Sequence, residues 1–157
     1  MDWLLDLVTN RFFIVSVSSW FVAQFLKTVI YAIENKKWDW TRLFGDGGMP
    51  SGHSATVASL ATICGLYFGC ASVEFAIAAI LAIIVCHDAT GVRRETGRHA
   101  EVLNHLVKSL ESGKPIDLKE LIGHPDLKEL VGHTPLQVVM GVLIGVGNAF
   151  LMYYVIL

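Results

Sequence analysis

Residues 136–157 contain no charged side chain. A helix satisfies every backbone polar group within such a run, and about 20 residues cross the hydrocarbon layer, so this segment reads as a transmembrane helix. Residues 12–33 repeat the pattern, with Lys27 as their one charge. A third apolar region, 55–86, is interrupted around Gly69-Cys-Ala-Ser-Val-Glu74 and reads as two shorter spans joined by a tight turn. Four transmembrane helices result. Composition agrees: 54% of the residues are hydrophobic and 17% charged, where a soluble domain carries about 25% charged residues. The fold expected is all-α, an integral membrane helical bundle forming a single domain over residues 1–157.

With four spans, loops 34–51 and 88–134 share one side of the membrane. They hold ten of the twelve Lys and Arg residues, the others being Arg11 and Lys27. The positive-inside rule places both loops in the cytoplasm and both termini outside, giving a multi-pass protein of the cell membrane. Residues 99–110 carry apolar side chains at Ala100, Leu103, Leu106, Val107 and Leu110. That spacing describes a cytoplasmic amphipathic helix, lying on the membrane surface or capping a site. Met1-Asp-Trp-Leu-Leu-Asp6 begins acidic, without the basic stretch of a signal peptide, and Trp3 suits an interfacial anchor. Cys64, Cys70 and Cys86 are odd in number and lie in apolar stretches; they read as packed free thiols without metal-type spacing. The net charge of −2 says little about nucleic acid, and no basic array supports it as a partner.

The stretch Gly45-Asp-Gly-Gly-Met-Pro-Ser-Gly-His-Ser-Ala55 carries the first chemical signal. A glycine-rich loop runs into an apolar helix there, which places unpaired N–H groups and the positive end of a helix dipole at one point. Ser51 is the expected N-cap, and His53 sets an imidazole in the first turn. A plain helix start with a chance histidine would look the same. Lys27, three residues after Gln24 on one helical face, has two readings: it points into the bundle towards a polar site, or it snorkels to the headgroups. Arg93 and Arg94 suit bidentate binding of a phosphate, yet alone they also describe a basic stop-transfer flank. An internal repeat, Asp117-Leu-Lys-Glu-Leu-Ile-Gly-His124 then Asp126-Leu-Lys-Glu-Leu-Val-Gly-His133, offers two further histidines. His133 is followed by Pro135 and an unbroken apolar helix, with Gln137 one turn along; His124 is followed by another polar stretch.

Pro50-Ser51-Gly52-His53 resembles the second signature of the type 2 phosphatidic acid phosphatase superfamily, to which the vanadium haloperoxidases also belong. Asp88-Ala-Thr-Gly-Val-Arg-Arg-Glu-Thr-Gly97, followed by Leu103-Asn104, resembles a signature of its small divergent branch. His133, Pro135, Val138 and Gly141 resemble the third superfamily signature. The resemblance implies a metal-independent phosphatase without a cofactor, in which His133 is the nucleophile. It makes His53 the acid and base. Lys27, Ser51, Gly52, Arg93 and Arg94 would bind phosphate, and Gln137 and Asp88 would orient the histidine. Three departures stand out. Glu34 replaces the arginine expected seven residues after Lys27, no arginine shortly precedes His133, and Gln137 replaces an acidic residue.

The substrate implied is amphiphilic: a lipid or isoprenyl phosphate. Two other classes compete with an enzyme. A catalytically inactive scaffold that binds lipid phosphates fits the Gln137 substitution, whereas an anion transporter gains little from four spans without an inverted repeat. Gly141 and Gly145, spaced as Gly-x-x-x-Gly, suggest a face for close helix contact and a homo-oligomer. Sidedness is open to direct measurement. After removal of the native cysteines, Lys114→Cys should resist impermeant thiol reagents in intact cells, while a cysteine placed next to Leu157 should be labelled. The reverse pattern would put the phosphate site outside.

Overall fold

The computed structural model describes residues 2–43, 45, 48–90, 103–104, 106–108 and 133–156. Helix α1 (Asp2–Thr9) precedes α2 (Arg11–Asn35), which ends at Lys36 in the left-handed conformation. A 3₁₀ turn (Trp40–Leu43) follows, then α3 (Gly52–Phe68), α4 (Val73–Thr90) and α5 (Pro135–Leu151) with a terminal π turn (Met152–Ile156). No strand occurs among the described residues. The expected break at residues 69–74 is the turn between α3 and α4, where Gly69 adopts a φ of 81° that a side chain would disfavour. Cys70 lies exposed in this turn instead of packing inside a helix, while Cys64 is buried; all three cysteines are free thiols. Of the amphipathic segment expected at 99–110, the described residues 103–104 and 106–108 are helical and the rest lies outside the description.

The distribution of side chains is inverted relative to a soluble protein. Ser19, Thr28 and Ser59 are fully buried, whereas Ile83 is 69% and Leu143 60% exposed. Such an arrangement is stable when the surroundings are lipid, where apolar side chains gain nothing from turning inward. Among the described residues, three segments are long and apolar enough to cross a membrane: Arg11–Asn35, Val73–Thr90 and Pro135–Val155. The buried hydroxyls find acceptors on their own helices. Ser19 Oγ donates to the Val15 carbonyl at 2.9 Å, Thr28 Oγ1 to the Gln24 carbonyl at 3.0 Å and Ser59 Oγ to the Thr56 carbonyl at 2.8 Å. One polar clasp crosses between helices: Asn148 Nδ2 of α5 donates to Ser18 Oγ at 2.9 Å and Ser19 Oγ at 2.8 Å of α2.

Helix α3 lies at the centre, packed by α2, α4 and α5. Its contact with α5 is the closest because Gly141 and Gly145 remove the side chains that would separate the two. A methyl group on Gly141 would overlap the Ser51 carbonyl, and one on Gly145 the Ala55 carbonyl. The face expected to join copies of the chain is therefore covered by α3 of the same chain. At the far end, Arg11 Nη1 donates to Tyr67 Oη at 2.9 Å, and the rings of Tyr67 and Tyr153 meet edge-on. The start of α2, the end of α3 and the end of α5 thus gather at one end, and the residues discussed below gather at the other. Gly145→Ala should lower stability by about 1–3 kcal/mol through overpacking. Gly147→Ala, with open space around it, should be neutral or gain up to about 1 kcal/mol of helix propensity. Thermal melting in detergent compares the two.

Candidate functional site

Two helix N-termini meet at this end. Ser51 is the N-cap of α3: its Oγ accepts from the Ser54 amide at 3.3 Å and from Ser54 Oγ at 2.9 Å. Its own N–H donates to the backbone carbonyl of Gln137, in the first turn of α5, at 3.0 Å. With Gly141 seated on the Ser51 carbonyl, the first turns of α3 and α5 lie side by side. Each carries the positive end of its helix dipole, about half a positive charge, so together they favour an anion. Ser51 itself is fully buried and acts here as a cap.

His133 immediately precedes α5 and is 6% exposed. Its N–H donates to the Ala89 carbonyl in the last turn of α4 at 3.0 Å, which ties the chain entering α5 to the chain leaving α4. Its Nδ1 lies 3.2 Å from Gln137 Oε1. The same oxygen accepts from the Thr134 backbone N–H at 3.0 Å. A backbone N–H can only donate, so the acceptor end of the Gln137 amide faces this pair, and His133 Nδ1 must carry the proton. Nε2 of the neutral ring then carries no proton. Thr134 Oγ1 accepts in return from the Gln137 backbone N–H at 3.4 Å, completing a capping box with Pro135 at the first helical position.

Lys27 takes the inward of its two readings. It is 7% exposed, and its Nζ donates to the Gly45 carbonyl at 3.3 Å. Its stem lies on Gly48, where φ is +81° and an added Cβ would sit 3.4 Å from Lys27 Cγ. The loop is held to α2 by Arg42, whose guanidinium lies 4.3 Å from the centre of the Tyr31 ring. The neighbouring Asp39 carboxyl is held below its ordinary range, chiefly by the Thr41 hydroxyl and then by the Thr41 amide. His53 is exposed in the first turn of α3, next to the buried Gly52. Asp88 is half-buried in the last turn of α4, beside the carbonyl that holds His133. Arg93, Arg94 and His124 lie outside the described residues.

The structure thus joins the loop before α3, the first turns of α3 and α5, the end of α4 and the buried Lys27 of α2. Reading the sequence for ligands overlooked the capping box, although Thr134-Pro-Leu-Gln137 ahead of an apolar run is its signal. The Ala89 carbonyl carried no sequence signal at all, since any residue supplies one.

A polytopic helical membrane protein with an anion-favouring end, carrying a buried histidine and lysine, is the class these features define. The chain belongs to the Divergent PAP2 family, whose sequence profile matches residues 8–148. It is 40% identical over 134 residues to the uncharacterized membrane protein YuiD of Bacillus subtilis (strain 168), covering 76% of this chain and 85% of the relative. No solved structure matches the chain.

The hydrogen-bond pattern predicts the imidazole tautomer. In protein carrying ¹⁵N-labelled histidine, His133 should show a protonated Nδ1 and an unprotonated Nε2 at a pH where the ring is neutral. Gln137→Leu should lose this preference and shift His133 towards the Nε2–H form. An unchanged tautomer in that variant would mean that Gln137 does not set it.

Proposed function

We propose that the chain is a membrane phosphatase that hydrolyses an amphiphilic phosphate, a lipid or isoprenyl phosphate monoester or diphosphate, through a phosphohistidine and without metal. The observation that carries this reading is the pairing of His133 Nδ1 with Gln137 Oε1 beside two helix N-termini. With Nδ1 bonded to Gln137, Nε2 is the nitrogen that this reading makes the nucleophile. Attack by Nε2 on phosphorus forms the P–N bond as the bond to the leaving oxygen breaks. His53, in its protonated form, gives that oxygen its proton. Once neutral, it takes a proton from the water that next attacks phosphorus, and breaking the P–N bond returns His133. Lys27, Arg93, Arg94 and the first amides of α3, including that of Gly52, stabilise the equatorial oxygens.

The membrane setting favours the amphiphilic substrate class. We infer four crossings, counting the 17-residue α3, which is about 25 Å long and within the range that spans a bilayer. Support comes from its course between the two polar ends, from Ser51 beside Gln137 to Tyr67 beside Tyr153. The charge asymmetry of the loops supports a reaction at the cytoplasmic face of the cell membrane.

The neutral Gln137 favours a second reading, a lipid-phosphate-binding scaffold without turnover. When phosphorus joins Nε2 the ring becomes cationic, and the neutral Gln137 amide has no negative charge to offset it as a carboxylate would. Turnover by purified protein in detergent, over a panel of lipid and isoprenyl phosphates, separates the two. Hydrolysis should survive EDTA and be blocked by vanadate, which mimics five-coordinate phosphorus. His133→Ala should remove nearly all turnover, while His124→Ala should change it by less than about tenfold, or about 1.4 kcal/mol of barrier. Strict magnesium dependence, or full activity without His133, would reject the mechanism.

A further inference from the structure

Gln24 lies on the same face of α2 as Lys27, three residues earlier, and is 4% exposed. Its Oε1 is, among the described residues, the buried side-chain atom left without a hydrogen-bond partner. A side chain on Gly52 would bring its Cβ within 3.6 Å of Gln24 Oε1 and 3.2 Å of Trp20 Cδ1. The amide therefore abuts the first residue of α3, at the end where that helix presents its unpaired N–H groups. A buried carbonyl oxygen that finds no partner is destabilising, and a group of this kind calls for an explanation in terms of ligand or function. Replacing it with an apolar side chain of similar length would leave the packing unchanged. What an amide adds is a pair of donors and an acceptor that exchange places by rotation about the last torsion, whose profile is broad and roughly two-fold.

We propose that Gln24 is a phosphate-contacting residue of the site. Its carbonyl oxygen lies beside Gly52, the first residue of α3. When a phosphate enters, the amide turns and Nε2 donates to one of the phosphate oxygens, beside Lys27 and the first amides of the helix. Glu34 stands where the resemblance calls for an arginine seven residues after Lys27, and Gln24 supplies a donor from the other side of Lys27 on the same helical face. The ligand class is a phosphate group with free oxygens, and the inference rests on the phosphate-site reading given above.

The test uses the full chain in detergent, with Trp3, Trp38 and Trp40 replaced by Phe, so that Trp20 beside Gly52 reports occupancy by its fluorescence. Orthovanadate and inorganic phosphate are the probes. Gln24→Met keeps the length and removes the hydrogen bonds; Gln24→Glu keeps the shape and adds a negative charge. Relative to the Trp20-only parent, vanadate affinity should fall tenfold or more in Gln24→Met and further in Gln24→Glu. Ligand-free Gln24→Met should melt at or above the parent's temperature, because an unpartnered buried polar group has gone. Equal affinity in the parent and Gln24→Met would overturn the role of Gln24 and leave the phosphate site standing. A ligand-free Gln24→Met protein that melts below the parent would overturn it as well, by assigning Gln24 to packing. A parent that binds neither probe would overturn both this inference and the phosphate-site reading.

Discussion

The approach of α3 to α5 is the contact on which the rest depends. Gly141 and Gly145 let the backbone of α5 rest on the carbonyls of Ser51 and Ala55, where a single methyl group would collide. In lipid, apolar side chains gain nothing by leaving their surroundings, so helices associate through such close packing and a few polar contacts. This packing sets the two first turns level, and the Ser51 amide then reaches the Gln137 carbonyl at 3.0 Å. Were the helices separated by the width of a side chain, the two N-termini would no longer act on one point. His133 would sit at the mouth of an isolated helix.

Given that frame, a second constraint follows from ordinary helix capping. Thr134 and Gln137 satisfy each other's backbone donors at the start of α5, a device that many helices use for stability alone. Here the same amide oxygen also receives the His133 Nδ1 proton. One side chain thereby ends a helix and fixes a tautomer. In the superfamily the chain resembles, a carboxylate holds this place and also counters the charge of the histidine. Gln137 keeps the orientation and gives up the charge. On the proposed reading, a slower enzyme would follow.

Much of this was legible in the residues, for identifiable reasons. The uncharged run 136–157 and the interrupted run 55–86 fix where helices lie, because a bilayer tolerates little else. Ser51 reads as a cap and Lys27 as an inward candidate from local pattern alone. The side on which Lys27 settles was not legible, since snorkelling and burial use the same residue at the same depth. Nor was the use of Gly141 and Gly145: a Gly-x-x-x-Gly pair says that something comes close, and only the fold shows that Ser51 and Ala55 of the same chain do so. Gln24 is the sharper case. Its spacing to Lys27 was visible, but an unpartnered oxygen facing Gly52 is a fact of three-dimensional packing.

In the proposed mechanism His133 attacks phosphorus. Purified protein mixed with a ³²P-labelled lipid phosphate, quenched in alkali within one turnover and digested, should yield an acid-labile, alkali-stable phosphate on the peptide containing His133. Label on the peptide containing His124, or turnover of the substrate with no protein-bound phosphate at any time, would contradict the account.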